Sequence, residues 1–201
     1  MPVLGELLFY RRDQVDLDDV LRRQLELLRG RVDAVPDKLF ADKTDEEIAA
    51  QIAAEAMIGP LNVDLAAAKA SVQEVQVEVR DRWGCEQGSV RVPGLKATKV
   101  IPFTGKRDLW HLRTNPYNLN PPRGEVRGDK LIIGIEVAAQ QVDEAAKYIE
   151  DTIAQIPEYL QRQEAQLATH NAGLAGHAMQ WIRMRRGRLG TANELLKKLG
   201  R

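Results

Sequence analysis

Beyond Val137 the chain repeats its apolar side chains in sevens. Ala146, Ile153, Leu160, Leu167, Leu174 and Trp181 share one position of the repeat, and Ile149, Ile156, Gln163, His170 and His177 follow three residues after the first five of them. These are the two seam positions of a heptad. Such spacing predicts a long helix whose stripe must be buried, against the chain's own sheet or against a second copy. Pro157 falls inside the stretch and predicts a kink, because proline lacks the N–H that its helical position calls for. Thr191 with Glu194 has the spacing of a capping box and predicts a short last helix over residues 192–199. We read Ile153, Leu160, Gln163, Leu167, His170, Leu174, His177 and Trp181 as an oligomer seam, in which the polar members set register and partner number. His170 and His177 lie about 10 Å apart along such a helix. One helix therefore does not chelate a metal with both, and no further ligands complete a set. No metal or cofactor is expected.

Ahead of this region the pattern is mixed. Asp16 is placed to cap a helix carrying Leu17, Val20, Leu21, Leu25, Leu28 and Val32 at helical spacing, which Pro36 stops. Thr44 and Glu47 form a capping box for a second helix, whose apolar positions are Ile48, Ile52 and Ala56. The acidic residues Asp45, Glu46 and Glu47 suit the positive end of its dipole. From Leu61 the period falls to two. Val75, Val77 and Val79 alternate with polar residues as in a strand with one wet face. A loop is expected over residues 81–88. Val90 and Val92 begin a further strand, Pro93-Gly94 turns the chain, and another strand follows over residues 97–101. Residues 107–112 can make one helical turn. Residues 115–122, with three prolines and three asparagines, should be irregular. Residues 123–127 and 130–137 then form a hairpin around Gly128-Asp129. The expected fold is α+β: two N-terminal helices, a mainly antiparallel sheet of four to five strands, and a long kinked C-terminal helix. Residues 1–137 are expected to form one domain and residues 138–201 a helical region.

Two surfaces are candidates for binding. Trp110, His111, Arg113, Tyr117, Asn118, Asn120 and Arg123 give the mixture of aromatic, amide and cation found at ligand surfaces. The same mixture suits a rigid loop that covers the end of a sheet. Arg183, Arg185, Arg186 and Arg188, with Lys197 and Lys198 beyond them, offer cations to phosphates, and Trp181 offers a stacking plane. They also suit the negative end of a helix dipole. Lys plus Arg equals Asp plus Glu at 29 each, so global charge does not draw the chain to nucleic acid or anionic lipid. Cys85 is the single cysteine, which excludes an internal disulfide and suits a reducing, cytoplasmic compartment. It would act as a nucleophile with His111 only if the fold joined them, and no motif does. GxGxxG, GxxxxGK[ST], GxSxG and HExxH are absent. No catalytic residue is assigned. No signal peptide and no membrane span is read.

One resemblance adds to these readings. Pro102-Phe103-Thr104-Gly105, Leu109-Trp110, Arg113 and Asn120-Pro121-Pro122-Arg123, leading to Glu125, Val126, Gly128 and Leu131, resemble a module of bacterial anti-phage and restriction-type proteins. The likeness extends to Pro60-Leu61, and in the long helix to Asn171, Leu174, Arg183, Arg185 and Arg186. In such proteins the module lies upstream of a TIR or Mrr-like nuclease effector. Lys106 stands where the module has a small acidic residue, and Thr114 where it has a proline. The resemblance implies a non-enzymatic regulatory, sensing and oligomerisation module that controls an effector domain or protein. Nucleic-acid binding through the basic helix end and the aromatic loop is the alternative.

Overall fold

The computed structural model describes residues 2–10, 16–80, 89–116 and 120–200. The fold is α+β, with four α-helices and a curled antiparallel sheet among the described residues. The chain divides into two compact units, residues 1–16 with 60–164 and residues 17–59 with 165–201. The expected boundary at residue 137 is thus corrected. The long helix belongs to both units, because its first half supplies the core of one and its second half the core of the other.

The first unit holds the sheet, in the order β1 (Glu6–Leu7), β5 (Arg123–Arg127), β6 (Lys130–Ala138), β4 (Ser89–Thr104) and β2 (Asn62–Val63), with β3 (Lys69–Arg80) also on β4. All pairings between these strands are antiparallel. Gly128 makes the β5–β6 turn at φ +59°, as its place in the sequence predicts. The Pro93-Gly94 turn is a correction: β4 runs unbroken through both residues. Glycine is needed there for close approach, since a Cβ on Gly94 would lie 2.3 Å from Val77 Cγ2 and 2.5 Å from the Val137 carbonyl oxygen. At the end of β4 the Phe103-Thr104-Gly105 segment turns with Gly105 at φ +111°, against the Pro60 carbonyl. Ile101, Leu131, Ile133, Ile135 and Val137 are buried on the sheet. Ala145, Ile149, Ile153, Ile156, Tyr159 and Gln163 are buried on the helix that follows, α4 (Val142–Lys198). A Lys99–Glu150 ion pair of 2.9 Å ties that helix to β4.

The second unit is helical. α1 (Leu17–Ala34) passes through Gly30, and α2 (Leu39–Asp42) is a short helix that the sequence reading did not separate. α3 (Asp45–Ala56) opens on the expected capping box, with Glu47 N–H donating to Thr44 Oγ1 and Thr44 N–H to the Glu47 carboxylate. The last part of α4 completes the unit. Leu174, Ala178 and Ile182 join Leu28, Val32, Phe40, Ile48 and Ile52 in one core.

α4 is a single helix of 57 residues that continues through Pro157. The expected separate helix over residues 192–199 is corrected too. Thr191 caps nothing, and its hydroxyl donates to the Gly187 carbonyl inside the helix. The seam is also corrected in detail. A straight helix lags a heptad by about 20° per repeat. Accordingly Ala145 rather than Ala146 is buried at one end, and Ala178 and Ile182 rather than His177 and Trp181 at the other. Ile153, Gln163, Leu167 and Leu174 are buried within the single chain, and Leu160 and His170 are half-buried. The chain's own elements therefore cover the stripe read as an oligomer seam. Among the described residues no helix is long and apolar enough to cross a membrane.

Candidate functional site

The loop after β4 is built around Trp110. A 3-10 helix, Arg107–His111, turns this indole inward, where it is fully buried. Phe9 lies 5.3 Å away and Phe103 meets it edge-on at 5.4 Å. Tyr159 of α4 stacks on Phe9 at 4.8 Å. The strand side is locked by Phe9 N–H donating to the Trp110 carbonyl, and the helix side by Gln163 Nε2 donating to the Leu109 carbonyl at 2.9 Å. Trp110 is thus a core residue, and its place on a ligand surface is corrected. Gln163 likewise holds the loop and sets no partner number. Among the described residues, four buried polar atoms here have no hydrogen-bond partner: Trp110 Nε1, Thr114 Oγ1, Tyr159 Oη and Gln163 Oε1. Burial raises the Tyr159 phenol above its ordinary value.

Arg113 makes a two-pronged ion pair with Asp16, Nε to Oδ1 at 2.5 Å and Nη2 to Oδ2 at 2.9 Å. The hydrogen bond from Arg113 holds the Asp16 carboxyl below its ordinary value, against an opposing effect of desolvation. Asp16 therefore anchors the loop as well as standing before α1. His111 Nδ1 lies 3.4 Å from the Glu6 carboxylate. Asn120 and Arg123 are exposed, the latter opening β5. Tyr117, Asn118 and Cys85 lie outside the described residues, so the Cys85–His111 pairing does too. The loop of the sequence reading resolves into a packed aromatic centre and an ion-paired strut, and these hold its shape.

The basic run of α4 also changes meaning. Arg185 donates from Nη1 to the Val32 carbonyl at the end of α1, and from Nη2 to Asp37 at 2.9 Å. Arg186 pairs with Asp45 at 2.7 Å and donates to the Phe40 carbonyl at 2.9 Å. Both guanidiniums lie over the Phe40 ring, at 5.0 and 5.3 Å. Arg188 pairs with Asp33 at 2.6 Å. Arg185 and Arg186 thus donate to backbone carbonyls near the C-terminal ends of α1 and α2 as well as to carboxylates. They clamp α1, α2 and α3 of the second unit together. Their use as a phosphate grip is corrected for Arg185 and Arg186, whose donors the fold engages; Arg183 is exposed. The signal was present in the sequence: Arg185, Arg186 and Leu189 continue the stripe of Leu174, Ala178 and Ile182 at helical spacing.

Higher on the same helix face, Asn171 exchanges two hydrogen bonds with the Ile58 backbone, at 3.2 and 2.9 Å. His170 Nε2 lies 2.6 Å from Gln24 Oε1, and the Gln24 amide donates to the Ala56 carbonyl. Desolvation, and then the nearby His177, lower the His170 pKa. His177 is exposed and stacks on Trp181 at 5.8 Å. Sequence spacing does not foresee the Asn171–Ile58 and His170–Gln24 bonds, since those partners lie more than a hundred residues apart.

Arg186→Ala is expected to lower the stability of the second unit by about 2–3 kcal/mol, because it leaves Asp45 and two backbone carbonyls without their charged donor. Denaturant titration of the full chain followed by helical circular dichroism measures this. A loss below about 0.5 kcal/mol would show the clamp to be a solvated ion pair of the ordinary surface kind.

β3 is a further exposed feature among the described residues. β3 pairs along its whole length with β4 and with no other described strand. Val72 is 61% exposed and Val79 41% exposed on it. β6 reaches β4 only over residues 94–102. Residues 76–80 and 89–93 therefore form a two-stranded ribbon beyond β6.

In comparisons with protein-family models, with curated proteins and with solved structures, nothing matches the chain.

Proposed function

We propose that the chain is a non-enzymatic regulatory and assembly module of a bacterial anti-phage protein, working in the cytoplasm through contacts with protein partners, an effector among them. The observation that carries the assembly half is the β3 edge. Among the described residues this strand of twelve residues pairs on one side, with β4, and natural sheets often blunt such an edge with proline, bulges, short length or charged side chains, of which β3 has Lys69 and Glu74 near its start. β3 contains neither proline nor glycine, and residues 69–74 are exposed on both faces. An edge of this kind favours strand addition by another protein chain. The resemblance around Pro102-Phe103-Thr104-Gly105 and Asn120-Pro121-Pro122-Arg123 supports the defence half. The intrachain pairs of Arg185, Arg186 and Arg188 weigh against nucleic-acid recognition at the basic helix end.

Light scattering coupled to size exclusion, at two protein concentrations, tests the assembly half. The expected result is a mass that rises above that of one chain. A single-chain mass at both concentrations would count against it. Phage plating on the source strain, with the gene intact and disrupted, tests the defence half; equal plating efficiency would remove it.

A further inference from the structure

We infer that Phe9 occupies a binding site for a planar six-membered ring that carries a carbonyl beside an N–H, the ring class of the cyclic amides. The N-terminal strap fills this site with its own phenyl ring, and the ligand takes that ring's place. The inference does not rest on the assembly reading above.

The phenyl ring lies where a flat ligand would stack. It is within 11° of parallel to Tyr159 at 4.8 Å, and Trp110 stands beside it at 5.3 Å. The walls are held without Phe9. Phe103 meets Trp110 edge-on at 5.4 Å. The Arg162 guanidinium lies 5.8 Å from the Tyr159 ring and donates to the Pro116 carbonyl. Gln163 Nε2 is fixed on the Leu109 carbonyl at 2.9 Å. The strap, by contrast, is strained at this one residue. Among the described residues Phe9 is the non-glycine residue at positive φ, +52°, where a bulky side chain is an outlier. Strain of this kind collects at ligand clamps and switch segments. Rotation of φ to the ordinary negative range relieves it and re-aims the ring.

What the phenyl ring leaves unbonded defines the ligand. Among the described residues Trp110 Nε1, Tyr159 Oη and Gln163 Oε1 are buried without a hydrogen-bond partner. Two of these atoms belong to the rings that meet Phe9, and the third side chain stands one helical turn beyond Tyr159. A buried polar atom without a partner costs free energy, and a hydrocarbon ring offers it none. Trp110 Nε1 only donates and Gln163 Oε1 only accepts, while the phenol of Tyr159 does either. The ring that answers them needs an acceptor and a donor together, and a carbonyl beside an N–H supplies both. With Phe9 in place Trp110 is a core residue; with the ligand in place its N–H gains a partner. Because Phe9 competes for the same space, the strap lowers apparent affinity by the fraction of chains whose site is open.

The test titrates 2-pyridone and benzene into the full chain by calorimetry. The first probe carries the carbonyl and the N–H, and the second the ring alone. Two proteins are compared, the natural sequence and Phe9→Ala, and circular dichroism checks that each is folded. Phe9→Ala is expected to bind 2-pyridone about tenfold more tightly than the natural chain does, because the competing ring is gone. It is also expected to bind 2-pyridone about tenfold more tightly than benzene, which leaves Trp110 Nε1 and Gln163 Oε1 without partners. Benzene bound as tightly as 2-pyridone overturns the inference, as does a folded Phe9→Ala that binds no 2-pyridone. Equal affinity for 2-pyridone with and without Phe9 overturns it too. If Phe9→Ala does not fold, Phe9→Leu is read in the same way; if neither folds, Phe9 is core and no gate, and the inference falls. None of these outcomes turns on the mass in solution, so the assembly reading keeps its own test.

Discussion

Replacing Trp110 by alanine is expected to destabilise the first unit by about 3–5 kcal/mol, which lowers the melting temperature by on the order of 10 °C. The indole is fully buried. It lies against Phe9 and Phe103, and Phe9 passes the packing on to Tyr159 of α4. Its N–H has no partner among the described residues, so the loss is that of apolar area, ring contacts and the cavity left behind. The cavity should persist, because Phe9 N–H and Gln163 pin the backbone of the 3-10 helix on either side of it. Thermal unfolding followed by near-ultraviolet circular dichroism reads this directly. An effect under about 1 kcal/mol would mean that Trp110 faces solvent or a ligand, as its charged neighbours suggest at first sight.

The second large effect is expected from Leu174→Asp. Leu174 is fully buried among Leu28, Val32, Phe40, Ile48 and Ile52. The substitution removes a packed side chain and puts a carboxylate among apolar neighbours. Each change alone is worth about 2–5 kcal/mol, and together they exceed the whole stability of a marginal helical unit. The helical signal of α1 and α3 should fall, and limited proteolysis should cut within residues 17–59. Were Leu174 instead part of a seam between copies, the same change would leave the helical signal intact and alter only the mass in solution. The two readouts separate a core position from an interface position.

Local signals in the sequence survived into the structure. Thr44 and Glu47 sit three residues apart, and both bonds of their capping box close within a single turn. Gly128 turns the β5–β6 hairpin because only its own backbone must reach positive φ. The readings that failed depend on distant partners. Pro93-Gly94 looks like a turn in isolation, yet β4 continues there because β3 and β6 both pair with it. Trp110, between Asp108 and Arg113, reads as a surface residue until Phe9, a hundred positions earlier, is seen to close over it. Asp16 reads as a helix cap until Arg113 is found beside it.

The candidate site follows the same division. The period-two valines of β3 are visible in the sequence, but periodicity does not say whether a strand is central or at an edge. That depends on which strands pair: β4 takes β6 on one side and β3 on the other, which leaves β3 outermost among the described strands. The heptad stripe is also visible, and it determined that a long helix would bury one face. It could not name the surface that meets that face, since a second copy and the chain's own elements demand the same apolar spacing. The basic run shows the limit most clearly. Its charge is written in four arginines, but Arg186 and Asp45 are 141 residues apart, and only the packing of α4 in the second unit makes them neighbours. Side-chain period and short-range hydrogen bonding made most elements, the Thr44–Glu47 cap and the main apolar faces legible in the sequence, while α2, the unbroken β4 and the run of α4 past Thr191 were not. Tertiary structure alone decided what each face meets, which charges are paired and which edge is left open, because those depend on contacts between residues far apart in the chain.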